Sequence, residues 1–243
     1  MFSNGPFLDL ASWDSPLNLK RFMPLNHSFT YPIMKRALIA VLATSATMVT
    51  SQAAIINILP GNVTASSEIP PNFNRQDDFL VDGSGLSGGQ HLAAVEPNMW
   101  LSTGTSFGGD DLDPFVIFDL GAVYTINSFH VWNYNEAPPN LTARGVNAVS
   151  VQYGLTAALG STVPGITNFA QASGLDTYAG ESFSSFTPFN AQFIKFDIDS
   201  NHGGDNNFYG LSEVQFDGVL VPEPGSATLL ALGLTGMLLR RRR

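Results

Sequence analysis

Short apolar runs with a period of two, separated by glycine, proline and asparagine, constrain this chain more than any other feature of its sequence. Such alternation puts every second side chain on one face of an extended strand, whereas a helix would scatter the same residues around its axis. In Phe115 to Gly121, Val116, Phe118 and Leu120 fall on one face and Asp119 on the other, and the run closes in a Leu-Gly turn. In Phe193 to Asp199, Ile194, Phe196 and Ile198 alternate with Lys195, Asp197 and Asp199. Ala148 to Tyr153 groups Val149, Val151 and Tyr153, and Ser212 to Phe216 sets Val214 and Phe216 against Glu213 and Gln215. Tyr124 to Tyr134 reads as a strand that changes phase between Ile126 and Phe129, which predicts a bulge. Long helical periodicity is absent, so the expectation is an all-β fold, an antiparallel two-sheet sandwich.

Both ends of the chain are apolar for other reasons and are set aside before the fold is read. Met34-Lys35-Arg36 precedes an uncharged stretch of 13 residues, Ala37 to Val49, and then Thr50-Ser51-Gln52-Ala53. A basic n-region, an apolar h-region and small residues before a cut between Ala53 and Ala54 make residues 34–53 a secretory signal peptide. A buried helix of that length would not require the basic flank. Translation is therefore read as starting at Met34, with residues 1–33 an upstream leader; a long n-region is the alternative.

At the other end, Val221-Pro222-Glu223-Pro224-Gly225 leads into Ser226 to Leu239, 14 residues without a charge, and then four arginines. As a helix that stretch rises about 21 Å, short of the roughly 30 Å hydrocarbon core, although snorkelling arginines extend its reach. The arginine run favours leaving this end in the cytoplasm, with the preceding domain outside the inner membrane. Pro222-Glu223-Pro224, the apolar stretch and the terminal arginines resemble the PEP-CTERM sorting tail of Gram-negative bacteria. That resemblance implies processing of residues 221–243 by an exosortase, a transmembrane stage in the inner membrane, and a destination at the cell envelope, cell surface or extracellular matrix among exopolysaccharide. Read as an ordinary C-terminal anchor, the segment would differ in processing and not in topology.

Between these ends, residues 54–220 carry 17 acidic side chains and three basic ones, Arg75, Arg144 and Lys195. Three cations cannot form the basic stripe that neutralises phosphates, so nucleic acid is excluded as a partner. Divalent cations and neutral sugars are compatible with such a surface. Cysteine is absent, so no disulfide staples an exported domain that is nonetheless long enough to bury its own core.

The pieces of this region, in order, are Val63-Thr64-Ala65-Ser66-Ser67, Leu80-Val81-Asp82-Gly83, Met99-Trp100-Leu101-Ser102, Ile117-Phe118-Asp119-Leu120-Gly121, Val131-Trp132-Asn133, Phe193-Ile194-Lys195-Phe196 and Gly210-Leu211-Ser212-Glu213-Val214. Their order and spacing resemble the discoidin-like, or coagulation-factor C-type, domains among the galactose-binding-like jelly rolls. The resemblance implies a jelly-roll sandwich that acts as a binding module. The longer, glycine-rich stretch from Ser84 to Asn98 departs from the family pattern. In resembling domains a structural calcium joins an aspartate and a glutamate placed as Asp82 and Glu213 are, and calcium is expected there; the bland alternative is a turn cap and a solvated acid. Asp110-Asp111-Leu112-Asp113 lacks EF-hand spacing and reads as solvated.

Modules of this kind bind through loops at one end, with aromatic rings against apolar sugar faces and polar groups against hydroxyls. Trp132, Asn133, Asn135 and Arg144 offer those groups near one strand end, although a tryptophan is more often core and asparagines favour turns for backbone reasons. No nucleophile elbow, zinc-binding helix, phosphate loop or dinucleotide fingerprint is present. The reading is thus a non-catalytic carbohydrate-binding or matrix-adhesion protein whose partner is extracellular polysaccharide. A structural surface protein without sugar binding is the alternative, and a hydrolase using two unmarked carboxylates a more distant one. N-terminal sequencing of the exported protein should give Ala54 at or near its start; a start at Met1 or within residues 1–33 would overturn the processing scheme.

Overall fold

A computed structural model of the chain describes residues 52–93, 98–137, 139–203 and 207–222, with Gly233, Met237 and Arg240 beyond them. The leader, most of the signal peptide and most of the sorting tail therefore lie outside the described residues. Among the described residues no helix is long and apolar enough to cross a membrane.

The strands are β1 (Ala54–Ile55), β2 (Val63–Ala65), β3 (Leu86–Ser87), β4 (Gln90–His91), β5 (Trp100–Leu101), β6 (Phe115–Asn133), β7 (Val149–Gly154), β8 (Ser161–Thr162), β9 (Glu181–Phe183), β10 (Phe189–Ile198) and β11 (Gly210–Leu220). Each strand pairing is antiparallel. The first half of β6 pairs with β2 and β10, and β10 continues the ladder to β7 and β8. The second half of β6 pairs with β11 and β9, and β11 carries β1 and β5. One 19-residue strand thus serves both layers of the sandwich.

Alternation decides which faces meet. Val116, Phe118 and Leu120 are buried along the first half of β6, and Ile194, Phe196 and Ile198 along β10, while Lys195 and Asp197 point outward and pair at 2.6 Å. Phe118 and Phe196 belong to one layer and Phe129 and Phe216 to the other. They meet in the core, with ring centroids 5.2 Å apart for Phe118 and Phe216 and 5.8 Å for Phe129 and Phe196. These edge-on and tilted contacts between fully buried rings are the centre of the core.

Two details of β6 bear on the sequence reading. The predicted phase change is a bulge: Asp217 faces Ser128 and Gly218 faces Ile126, so Asn127 is left unpaired and both Ile126 and Phe129 point inward. The Leu-Gly turn expected at Gly121 is instead a bend inside a continuous strand. Gly121 adopts φ 76°, a conformation that costs a residue with a Cβ, and the strand continues through it with β10 paired on both sides.

The glycine-rich departure between Ser84 and Asn98 includes the hairpin β3–β4, which covers the outer face of the second layer. Gly83 N–H donates to Glu213 Oε2 at 3.3 Å, and Trp132 Nε1 donates to Gly89 O at 3.3 Å. Phe118→Ala should cost about 3–5 kcal/mol in urea unfolding, because it empties the meeting point of the four rings. Leu112→Ala, at a side chain 91% exposed, should change stability by no more than about 0.5 kcal/mol; comparable losses from the two variants would contradict this placement of the core.

Candidate functional site

Past Asn133 the chain leaves β6 and meets the loops at one end of the sandwich, and two asparagines decide how those loops sit. Asn133 Nδ2 donates to Val146 O at 2.7 Å and to Ala170 O at 2.8 Å, while its Oδ1 accepts from Tyr134 N–H at 2.9 Å. Asn135 Nδ2 donates to His91 O at 3.0 Å and Leu175 O at 2.9 Å, and its Oδ1 accepts from Gly174 N–H at 2.8 Å. Both residues are buried, and each amide satisfies loop backbone groups that would otherwise be orphaned. They tie loops together rather than face solvent. Trp132 is buried too, with its ring centroid 4.0 Å from that of His130.

The residues of alternate parity, Tyr134 and Glu136, point the other way, into a pocket of about 340 Å³ lined with Arg75, Arg144, Phe73, Phe107 and Phe208. Arg75 Nη2 lies 3.1 Å from Glu136 Oε1, and Arg75 Nε donates to Tyr134 Oη at 3.2 Å. Tyr134 Oη donates in turn to Glu136 Oε2, and Arg144 Nη1 lies 3.6 Å from that oxygen. Burial first, and then the Glu136 charge, push the Tyr134 hydroxyl well above its ordinary range, which keeps it a donor. The Arg144 guanidinium sits 4.8 Å from the Phe208 ring centroid, and Phe73 and Phe107 meet edge to face at 4.8 Å. Gly210 makes this packing possible: a Cβ there would lie 2.4 Å from the Tyr134 ring.

Of the residues singled out in the sequence, Arg144 lines this pocket and Trp132, Asn133 and Asn135 do not. Arg75, Glu136, Tyr134 and the three phenylalanines were not singled out. Parity along Trp132 to Glu136 is the one local signal that separates Tyr134 and Glu136 from the asparagines.

The second constellation lies beneath the β3–β4 hairpin. Glu213 is buried, and burial, followed by the charge of nearby Asp82, pushes its carboxyl up to about 9. Asp82 Oδ1 accepts from Ser84 N–H at 2.7 Å, which closes the turn, and the buried Ser84 Oγ has no hydrogen-bond partner. Among the described residues no three histidine, cysteine, aspartate or glutamate side chains converge to hold a metal. A hard cation also accepts hydroxyl and backbone oxygens, however, and two facing carboxylates with an orphaned hydroxyl fit that chemistry. At the termini, Ala53 and Ala54 are exposed, Ala54 opens β1, and Pro222 is exposed, while Glu223 and Pro224 lie outside the described residues.

Residues 220–243 match the PEP-CTERM protein-sorting motif. No curated relative matches the chain. Among solved structures, a putative chitobiase fragment from Bacteroides thetaiotaomicron is similar with a TM-score of 0.50 at 16% identity, over 72% of this chain and 98% of that one. The C-terminal domain of a chitobiase from Bacteroides fragilis reaches 0.49 at 16% identity, over 70% and 100% of the two chains. CpGH89CBM32-5 from Clostridium perfringens, solved in complex with GalNAc-beta-1,3-galactose, reaches 0.45 at 16% identity, over 67% and 99%. The similarity to the chitobiase fragment shows a shared all-β sandwich fold. The chain joins that sandwich to a PEP-CTERM tail, which marks a secreted, envelope-sorted protein.

A protonated Glu213 has a measurable consequence. Its folded pKa of about 9 lies above its ordinary 4.5, so its contribution to stability is complete below about 4.5 and is lost as pH rises towards 9. With divalent cations chelated, wild-type stability should therefore fall through that window relative to Glu213→Gln, as followed by thermal melts at constant ionic strength. Parallel pH profiles for the two proteins would show that Glu213 is not held protonated.

Proposed function

We propose that this protein is a non-catalytic carbohydrate-binding or matrix-adhesion protein, exported and delivered to the envelope by its PEP-CTERM tail after exosortase processing, and associated there with extracellular polysaccharide. The observation that carries the reading is the pocket in which Arg75, Glu136 and Arg144 stand between the rings of Phe73, Phe107 and Phe208. Aromatic rings offer flat apolar surface to the C–H face of a pyranose, while guanidinium and carboxylate groups present donors and acceptors in fixed planes to its hydroxyls. The volume, about 340 Å³, lies at the small end of ligand pockets and suits one sugar with part of the next. The buried Arg75–Glu136 pair holds the polar groups in place before a ligand arrives, which lowers the ordering cost of binding.

Asp82 and Glu213 are proposed as ligands of a structural calcium, with Ser84 Oγ as a further oxygen. The cation would offset the repulsion of two carboxylates and pin the β3–β4 hairpin to the sheet without taking part in sugar binding. Trp132, Asn133 and Asn135 are assigned to the scaffold, and Arg144 to the ligand. Calcium added to the chelated protein should raise its melting temperature above pH 5, where Glu213 must give up a proton to bind it, and Glu213→Gln should abolish that response.

The sugar reading is tested by a glycan array together with pulldown of the host's own polysaccharide. Wild type should be retained, and Phe107→Ala and Arg144→Ala should each weaken binding by about fivefold or more, since each removes an anchoring group worth more than about 1 kcal/mol. A folded wild-type protein that binds nothing on the array and none of the host polysaccharide would overturn it.

A further inference from the structure

The chain leaves the sandwich at the end away from the pocket. Gly210, where β11 starts, packs against the Tyr134 ring of the pocket, whereas Leu220, where β11 stops, pairs with Tyr124. Eleven extended residues span about 30 Å, and that distance separates the pocket from the exit of the tail. The ladder closes with Val221 N–H donating to Val123 O at 2.9 Å, and Pro222 has no N–H to continue it. Ala54 pairs with Gly218, so the chain also enters the domain at this end. Large apolar side chains gather around the exit. Leu220 ends β11, and Ile55 lies beside it on β1, opposite Asp217. In the first layer Val63 pairs with Phe118, and Gly154 pairs with Phe193, itself opposite Asp119; Leu59 and Leu155 therefore lie just beyond the ends of β2 and β7, at the level of the Gly121 bend. All four side chains are between 48% and 65% exposed. The acids beside them are Asp217 and Asp119, whose Oδ1 accepts from Gly121 N–H at 2.9 Å and from Gln192 Nε2 at 3.1 Å.

We infer that this end of the sandwich is a bilayer-contact surface, on which Ile55, Leu59, Leu155 and Leu220 rest against the membrane that holds the tail while the pocket faces away from it; the inference rests on reading residues 226–239 as a membrane segment. The length of the connecting chain selects the partner. Ser226, where the 14 uncharged residues begin, is six residues past Leu220, a reach of about 20 Å at full extension. As a helix those 14 residues rise only about 21 Å, less than the roughly 30 Å hydrocarbon core, so the connection is drawn towards the lipid and the reach shortens further. A domain held that close meets the bilayer at a high effective concentration, and a few apolar side chains at the boundary between headgroups and acyl chains are then enough to hold it there. The acidic surface adds a condition: it is repelled by anionic lipid, so the contact is shallow and suits zwitterionic headgroups. The pocket then stands about 30 Å above the membrane, where a polysaccharide can reach it.

The test uses the full chain, which has no cysteine, so that one introduced cysteine carries one fluorescent label in phosphatidylcholine vesicles with the domain outside. Leu59→Cys, Leu155→Cys and Leu220→Cys place the label at the proposed contact. Leu175→Cys places it at the loop end, where Leu175 O accepts from Asn135 Nδ2, and Met237→Cys places it in the apolar stretch of the tail. The labels at 59, 155 and 220 should shift to the blue, lose emission to a nitroxide carried on the lipid headgroup and be shielded from aqueous iodide, whereas the label at 175 should be quenched by iodide and untouched by the lipid nitroxide. The label at 237 should be shielded from iodide and quenched by a nitroxide deep in the acyl chains. Labels at 59, 155 and 220 that behave like the one at 175, with 237 in the bilayer, would overturn this inference and leave the membrane reading of the tail standing. A label at 237 open to iodide would overturn the inference through the tail itself. Labels at 59 and 155 that are shielded from iodide yet untouched by the lipid nitroxide would also overturn it, since the surface would then be covered by protein.

Discussion

The passage of β6 through both layers is the constraint on which the rest of this domain depends. It pairs with β2 and β10 along its first half and with β11 and β9 along its second, and residues 124–126, just past Gly121, pair with both β10 and β11. Phe183, Phe186, Phe196 and Phe216 each stack on or tilt against Phe118 or Phe129 of this strand. The strand also delivers Tyr134 and Glu136 to the loop end, so the placement of the pocket follows from the length of the strand and the position of its bulge. Because backbone hydrogen bonds must be satisfied throughout a buried strand, β6 has little freedom to slip.

Buried polar groups divide into two kinds. Asn133 and Asn135 meet backbone groups from several loops with each amide, and their value is architectural: they hold the 146, 170 and 174 regions against the end of β6. Arg75, Tyr134, Glu136 and Arg144 bond to one another and line the pocket. A satisfied amide network fixes geometry, whereas an ion cluster beside a pocket sets donors and acceptors where a ligand can reach them. The same distinction separates Glu213 from Glu136. Glu136 has two guanidinium partners, whereas burial and then the Asp82 charge disfavour an ionised Glu213 more than the Gly83 N–H and the Gln215 side chain favour it, which pushes its carboxyl up.

For an exported domain without cysteine, stability has to come from packing and from polar groups that are well met. The four-ring centre supplies the first. The β3–β4 hairpin, laid over Trp132 and Glu213, is the part most in need of the second, and the proposed cation site lies under it.

How much of this was legible in the sequence differs by the range of the interaction involved. Alternation is a local property, so the inward faces of β6, β7, β10 and β11 could be read directly, and so could the bulge, because a change of phase between Ile126 and Phe129 leaves its mark within a few residues. Gly121 could not be resolved in the same way, since a glycine at φ 76° looks alike in sequence whether it closes a turn or bends a strand; only the partners of β6 on either side decide. Resemblance placed Asp82 near Glu213, although it did not show that Glu213 is buried, which depends on the unusual hairpin covering it. The pocket was the least visible. Composition alone established that cations are scarce between residues 54 and 220, while their meeting depends on Arg75 reaching Glu136 across 61 residues of chain. The sequence by itself determined strands, faces and a shortage of positive charge, because these are set by neighbours a few residues apart or by counting. Tertiary structure alone decided that two of the three cations share one pocket, because electrostatic energy depends on distance in space, which position along the chain does not encode.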